Sequence, residues 1–314
     1  MTNEEIAGVL ASLGMGLRYV RPDLTIAGSP ERSLERRAVE SDDGRLWIVE
    51  RHDLRAARRK QEIAESADRL AVGLPEIKPW LPFAPNRFVA ERGGGAWLVS
   101  PYVPGVALDR PAYAFEGWRG RALADLLIRF RAAASGLPRE GNVPAFSLPG
   151  FVRGLFGVMR DHRRALFERL YPVLLHLEHG LFPAVARLPT SFSHGDLHPL
   201  NVIWSETGIE ALIDLEFCGF RPETYDAALL VGCLGMEEPR SLRGDLVRTL
   251  IMRLREGAGF SDEGWRTFPD MVLGLRFAWL SDWLRRDNRD MVELEAVYIG
   301  VLMENRSSLE RAWA

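Results

Sequence analysis

Apolar positions along this chain follow one spacing in its first third and another in the remainder. Thr2 followed by Glu5 has the form of a capping box, and Ile6, Val9, Leu10 and Leu13 recur behind it at helical spacing until Gly14 and Gly16. Over residues 19–47 the text changes to short mixed runs broken by Pro22, Gly28, Pro30 and Asp43-Gly44, which predicts small antiparallel strands, residues 46–49 most clearly. Residues 51–70 are heavily charged, with Ile63, Ala67 and Leu70 on one side, as on a surface helix. Phe88-Val89-Ala90 and Ala96-Trp97-Leu98-Val99 flank a glycine-rich turn and predict a hairpin, which Pro101 to Gly105 then breaks off. From there the spacing is helical. Leu123, Leu126, Leu127, Phe130 and Ala134 mark one helix; Phe151, Leu155 and Val158 begin another. Leu166, Leu170, Leu174 and Leu177 continue across a bend at Pro172. Leu242, Leu246, Leu250 and Leu254, then Leu275, Leu280 and Leu284, then Met291, Leu294, Val297, Tyr298, Val301 and Leu302 mark three more. Strands first and helices second predict an α+β chain.

One polar stretch interrupts the helices. Val202-Ile203-Trp204 reads as a strand, Glu206-Thr207-Gly208 as a turn, and residues 209–213 as the returning strand. The hairpin takes Asn201 into its first strand and delivers Asp214 from its second, so both return to the same end. An amide oxygen and a carboxylate suit Mg2+, which keeps several waters and takes further oxygens from phosphate. Asp196, five residues before Asn201, is placed to accept a proton from a substrate hydroxyl.

Composition narrows the partners. A 314-residue chain that is 47% hydrophobic and 26% charged can bury a large core. A net charge of −3 argues against binding nucleic acid through bulk charge. No apolar run approaches the roughly 18 residues a membrane span needs. The acidic start, Met1 to Glu5, lacks signal-peptide order, and Cys218 and Cys233 suggest no disulfide framework, so a cytoplasmic setting is expected. Lys60 and Lys78 are the only lysines. Few residues besides arginine are therefore available to bind phosphate.

His194-Gly195-Asp196 with Asn201, then Ile213-Asp214-Leu215-Glu216, then Tyr225-Asp226 resemble the signature of the aminoglycoside phosphotransferase and choline kinase family, with Leu215 in place of its usual aromatic residue. The resemblance is specific over residues 193–228. It implies a two-lobed protein-kinase-like fold, with a small β-rich N-lobe over residues 1–103, a hinge near 100–104 and a large helical C-lobe over 104–314. It implies ATP or GTP as donor, Mg2+ as cofactor and a small-molecule hydroxyl as acceptor, with no nucleic-acid or membrane partner. By comparison with protein kinases, Asp196 takes the catalytic-loop role and Asn201 and Asp214 the metal-ligand roles. His194 orders the loop; His198 lines the cleft or contacts phosphate. Asp226 reads as a helix N-cap, Glu216 as a water-mediated support or a solvated group, Trp279 and Trp283 as core, and Glu237-Glu238 as a solvated pair or a lure for cationic substrates.

The nucleotide end departs from the family. Its strand lysine aligns with Glu50, which would repel triphosphate, unless a register slip or bulge presents Arg51 instead. Arg51 is then the expected phosphate clamp, positioned by Glu62 or Glu65. Ser29 and Ser33 lie in a phosphate loop with only one glycine, Gly28, and Tyr102 and Val103 lie at the hinge, where they would meet the nucleotide. Two alternatives stay open: a nucleotide-binding pseudokinase, favoured by Glu50, and a metallohydrolase built on His194, Asp196 and His198.

Overall fold

A computed structural model describes residues 1–28, 33–138 and 146–314. The first elements are α1 (Asn3–Ala11), β1 (Leu17–Val20), β2 (Glu35–Ser41), β3 (Leu46–Asp53), α2 (Ala57–Ala71), β4 (Ala90–Arg92) and β5 (Gly95–Pro101). The helices α3 (Gly117–Ala134), α4 (Leu148–His162), α5 (Arg164–His179) and α6 (Leu181–Val185) follow. Next come β6 (Thr190–Ser193), β7 (Val202–Trp204), β8 (Ile209–Leu212) and β9 (Gly219–Pro222). The chain closes with α7 (Tyr225–Glu237), α8 (Asp245–Gly257), α9 (Asp262–Arg266), α10 (Phe268–Arg285) and α11 (Arg289–Trp313). Two compact units divide the chain, and not by a single cut. The first holds residues 1–107, 132–137 and 200–218; the second holds the remainder.

In the first unit five antiparallel strands run in the order β1-β2-β3-β5-β4. Alternation along β3 places Trp47 and Val49 on one face, where they pack with Trp97 and Val99 against Ile6, Val9 and Leu10 of α1. The capping box does form: Thr2 Oγ1 accepts from the Glu5 amide at 3.1 Å and Glu5 Oε2 accepts from the Thr2 amide at 2.7 Å. A second apolar cluster joins Ala57 and Ala64 of α2 to Ala96 and Leu98 of β5. The surface helix expected at residues 51–70 is therefore α2, and its Lys60, Ile63, Ala64, Ala67 and Leu70 are buried. β7 pairs with β8, completing this unit.

The second unit is built on helices. α10 is buried along most of its length between α7, α11 and α4. Pro172 lies inside α5 without ending it. β6 pairs antiparallel with β9, Ser193 opposite Gly219, and this ladder brings the start of α7 back to the residues after β6.

Candidate active site

The hairpin of the first unit forms as expected from its turn and alternation. Val202 pairs with Leu212, and the Ile213 amide donates to the Asn201 carbonyl at 3.0 Å, so Asn201 and the chain leading into Asp214 stand side by side. Asp214 adopts φ 63° and ψ 51°, a left-handed conformation that a non-glycine residue holds at roughly 1–3 kcal/mol of strain. Such strain persists where the surroundings enforce it, and here it turns the carboxylate toward a cavity. Asp214, Glu216, Ile48, Glu50, Tyr102 and Val103 line that cavity with Lys60, Lys78 and Arg36. Gly28, at φ +84°, closes on the same carboxylate, since a Cβ there would stand 3.0 Å from Asp214 Oδ2.

The amide oxygen of Asn201 and the carboxylate of Asp214 are the kinds of donor that Mg2+ takes. One amide-bearing and one carboxylate side chain leave most coordination positions to water and phosphate, as this ion prefers. Among the described residues no group of three His, Cys, Asp or Glu converges to hold a metal, at His194, Asp196 and His198 or elsewhere.

In the second unit β6 leads into the loop that carries Asp196. Asp226 holds this loop: its Oδ2 accepts from the His194 amide at 2.7 Å and its Oδ1 from the Gly195 amide at 2.9 Å. Asp226 is thus a clamp on the loop and not a cap, because α7 begins at Tyr225 with Thr224 in the cap position. The Asp196 amide donates to His194 Nδ1 at 3.2 Å. The His198 ring meets Trp279 edge-on at 5.9 Å, and Trp279 stacks on Trp283 at 6.3 Å. Both tryptophans are half-buried, not core as their helical spacing predicted. Burial pushes the Tyr225 hydroxyl, whose ring lies under Arg221, up to about 12.

Arg51 does not reach the cavity. Registers with β2 (Glu35 opposite Arg51) and with β5 (Arg51 opposite Trp97) run unbroken along β3, so no slip or bulge exchanges its faces. Arg51 shares the face of Trp47 and Val49, lies over the Trp97 ring at 5.6 Å and approaches Glu5 at 3.8 Å. Glu62 pairs with Arg58, and Glu65 accepts from Gln61, so neither positions Arg51. Arg51→Ala is expected to leave Mg-nucleotide affinity within about twofold in a calorimetric titration, as for a substitution away from the site. Ser29 lies outside the described residues. Ser33 has a buried hydroxyl without a partner among the described residues, and it is not among those that line the cavity.

The residues missed from sequence are cations. Arg36 of β2 donates to the Ala27 carbonyl at 2.9 Å and the Gly28 carbonyl at 2.6 Å, holding the chain at Gly28. Lys60 donates to Glu216 Oε1, which gives Glu216 a direct ion-pair partner in place of the two roles expected for it. The near-absence of lysine was the available signal: both lysines of the chain line this one cavity.

A sequence profile of the phosphotransferase enzyme family matches residues 29–262. No curated protein matches the sequence significantly. Among solved structures, an amicoumacin kinase in complex with AMP-PNP and Ca2+ is 16% identical, with a TM-score of 0.66 over 95% of this chain and 93% of that one. An aminoglycoside phosphotransferase from Alicyclobacillus acidocaldarius is 14% identical, with a TM-score of 0.64 over 93% and 98%. The macrolide 2'-phosphotransferase of Brachybacterium faecium is 16% identical, with a TM-score of 0.60 over 94% and 97%. At these identities the neighbours speak to the protein-kinase-like fold alone. With three quarters of its length matched by the profile, the chain belongs to the phosphotransferase enzyme family.

Proposed function

We propose that the chain transfers the terminal phosphoryl group of ATP or GTP to a hydroxyl of a small molecule. The observation that carries this reading is the cavity of the first unit. It combines a strained Asp214, a glycine at the carboxylate and residues Tyr102 and Val103, and the Asn201 carbonyl accepts from the Ile213 amide next to Asp214. Asn201 and Asp214 would hold Mg2+, which when bound neutralises phosphate charge. Asp196, on the loop clamped by Asp226, accepts the proton of the acceptor hydroxyl. His194 keeps that loop's shape through the Asp196 amide. We place the reaction in the cytoplasm, where nucleoside triphosphates are supplied. Among the described residues no helix is long and apolar enough to cross a membrane.

The acceptor we infer carries an apolar face and few positive charges. Acidic groups that would draw a polycation are matched by arginines within the second unit. Glu237 holds Arg110 through two hydrogen bonds of 2.6 and 2.7 Å, and Glu238 pairs with Arg240. Asp282 pairs with Arg285 and Arg286. The row His198, Trp279 and Trp283 offers aromatic surface instead, and the Trp283 indole N–H is buried without a partner among the described residues. A nucleotide-consumption screen with Mg2+ tests this, with macrolides, amicoumacin-like aromatic amides, amino sugars, choline and aminoglycosides as acceptors. Turnover is expected with aromatic or macrocyclic alcohols. Turnover confined to polycationic aminoglycosides overturns the acceptor class.

Glu50 favours a second reading, nucleotide binding without turnover, because it stands where a phosphate-facing cation is expected and lines the cavity. Tight Mg-nucleotide binding with no consumption across the whole screen would establish it.

A further inference from the structure

In protein kinases the cation on the nucleotide phosphates is a lysine of the third strand, paired with a glutamate from the helix that follows. Here both positions are filled, with the charges reversed. Unbroken pairing on both sides of β3 fixes Glu50 on the cavity face, and Glu50 Oε2 accepts from the Trp80 indole N–H at 3.2 Å. The helix that follows contributes Lys60, only 5% exposed, on the inward stripe of α2 with Ile63, Ala64 and Ala67. A lysine on such a stripe is rare unless paired. Its partner is Glu216, two residues beyond Asp214. Arg59, the residue before it, donates to the Glu216 and Cys218 carbonyls at 3.2 and 3.1 Å, so α2 is anchored to the turn that presents Asp214.

Resting on the proposed phosphoryl transfer, we propose that Lys60 of α2 is the phosphate-binding cation of this enzyme, with Glu216 holding it in place and Glu50 occupying the strand position as a carboxylate. An ammonium has three donors. One is satisfied by Glu216, and the others are available to phosphate oxygens in the cavity that Lys60 lines. Arginine is the basic residue at 38 of 40 positions, yet the two lysines both line this cavity. The compact ammonium on a flexible stem suits a buried position that a planar guanidinium would overfill. The transposition also removes the objection that Glu50 raises. The cation is not missing; it arrives from the neighbouring element.

Calorimetric titration with Mg-ATP and Mg-GTP tests the assignment in the full-length protein, with folding monitored by circular dichroism and melting. Lys60→Met is expected to weaken nucleotide binding about ten- to hundredfold, the worth of a charge-assisted hydrogen bond in a buried site. Glu50→Lys added to Lys60→Met is expected to restore much of the loss by supplying the strand cation. Arg58→Ala, exposed on the same helix, is expected to bind as wild type. A second measurement needs no variant. An acyl-phosphate analogue of ATP is expected to acylate Lys60, mapped by peptide mass spectrometry, with excess Mg-ATP protecting it. A folded Lys60→Met protein that binds within twofold of wild type, or Lys60 left unlabelled, overturns the proposal alone. A wild-type protein that binds neither nucleotide overturns the phosphotransfer reading, and this proposal with it.

Discussion

Asp196→Asn is expected to lower kcat about 10²- to 10⁴-fold, the usual contribution of a general base, while leaving the Kd for Mg-nucleotide within about twofold. The two halves of the expectation have different origins. Asparagine keeps the size of the side chain and removes its ability to accept a proton. The loop itself survives, because its shape depends on the backbone amides of His194 and Gly195 bound by Asp226 and on the Asp196 amide bound by His194 Nδ1. None of those groups is altered. The residues lining the cavity of Asp214 come entirely from the other compact unit, so nucleotide affinity has no reason to change. Single-turnover kinetics with saturating nucleotide separates the two quantities. A variant that turns over as fast as the parent would remove Asp196 from the chemistry.

Glu295→Ala is expected to destabilise the fold by about 3–5 kcal/mol, because it leaves a buried guanidinium without its counter-charge. Arg276 of α10 and Glu295 of α11 are 3% and 0% exposed at the side chain and form two hydrogen bonds of 2.7 Å. Burial alone would lower the Arg276 pKa. The Glu295 carboxylate outweighs it and holds the guanidinium above its ordinary value. The same burial pushes the Cys233 thiol, which Arg276 contacts, up to about 11. A melting temperature lower by about 10 °C is the expected readout. Replacing both partners (Arg276→Met with Glu295→Met) is expected to recover most of the loss, since paired removal leaves no stranded charge. Arg276 also lies over the Trp279 ring, so the single variant is expected to raise the acceptor KM more than the nucleotide KM. A melting point unchanged by Glu295→Ala would show that water reaches the pair.

Reading the sequence recovered the elements whose cause is local. The helical stripes of α3, α8, α10 and α11, the capping box at Thr2 and the hairpin after Asn201 each depend on residues within a few positions of one another. Where a burial or a partner comes from far along the chain, the same reading went astray. Trp279 and Trp283 have core spacing, yet α10 turns that face toward His198 instead of into the interior. Arg51 looked like a clamp because one residue of register decides which face of β3 it occupies, and only pairing with β2 and β5 sets that register.

By itself, then, the amino-acid order settled the family, the kinase-like architecture and the closeness of Asn201 to Asp214. The first two rest on the resemblance carried by the motifs over residues 193–228, and the third on turn chemistry and spacing within one hairpin. Tertiary structure alone decided which charges face the cavity of Asp214. Lys60 and Glu216 stand 156 residues apart, and Asp226 lies 31 residues from the Gly195 amide it binds. On an isolated charged helix such a lysine is indistinguishable from a solvated one. Burial against a distant segment makes its pairing obligatory, since an ammonium removed from water must find an anion.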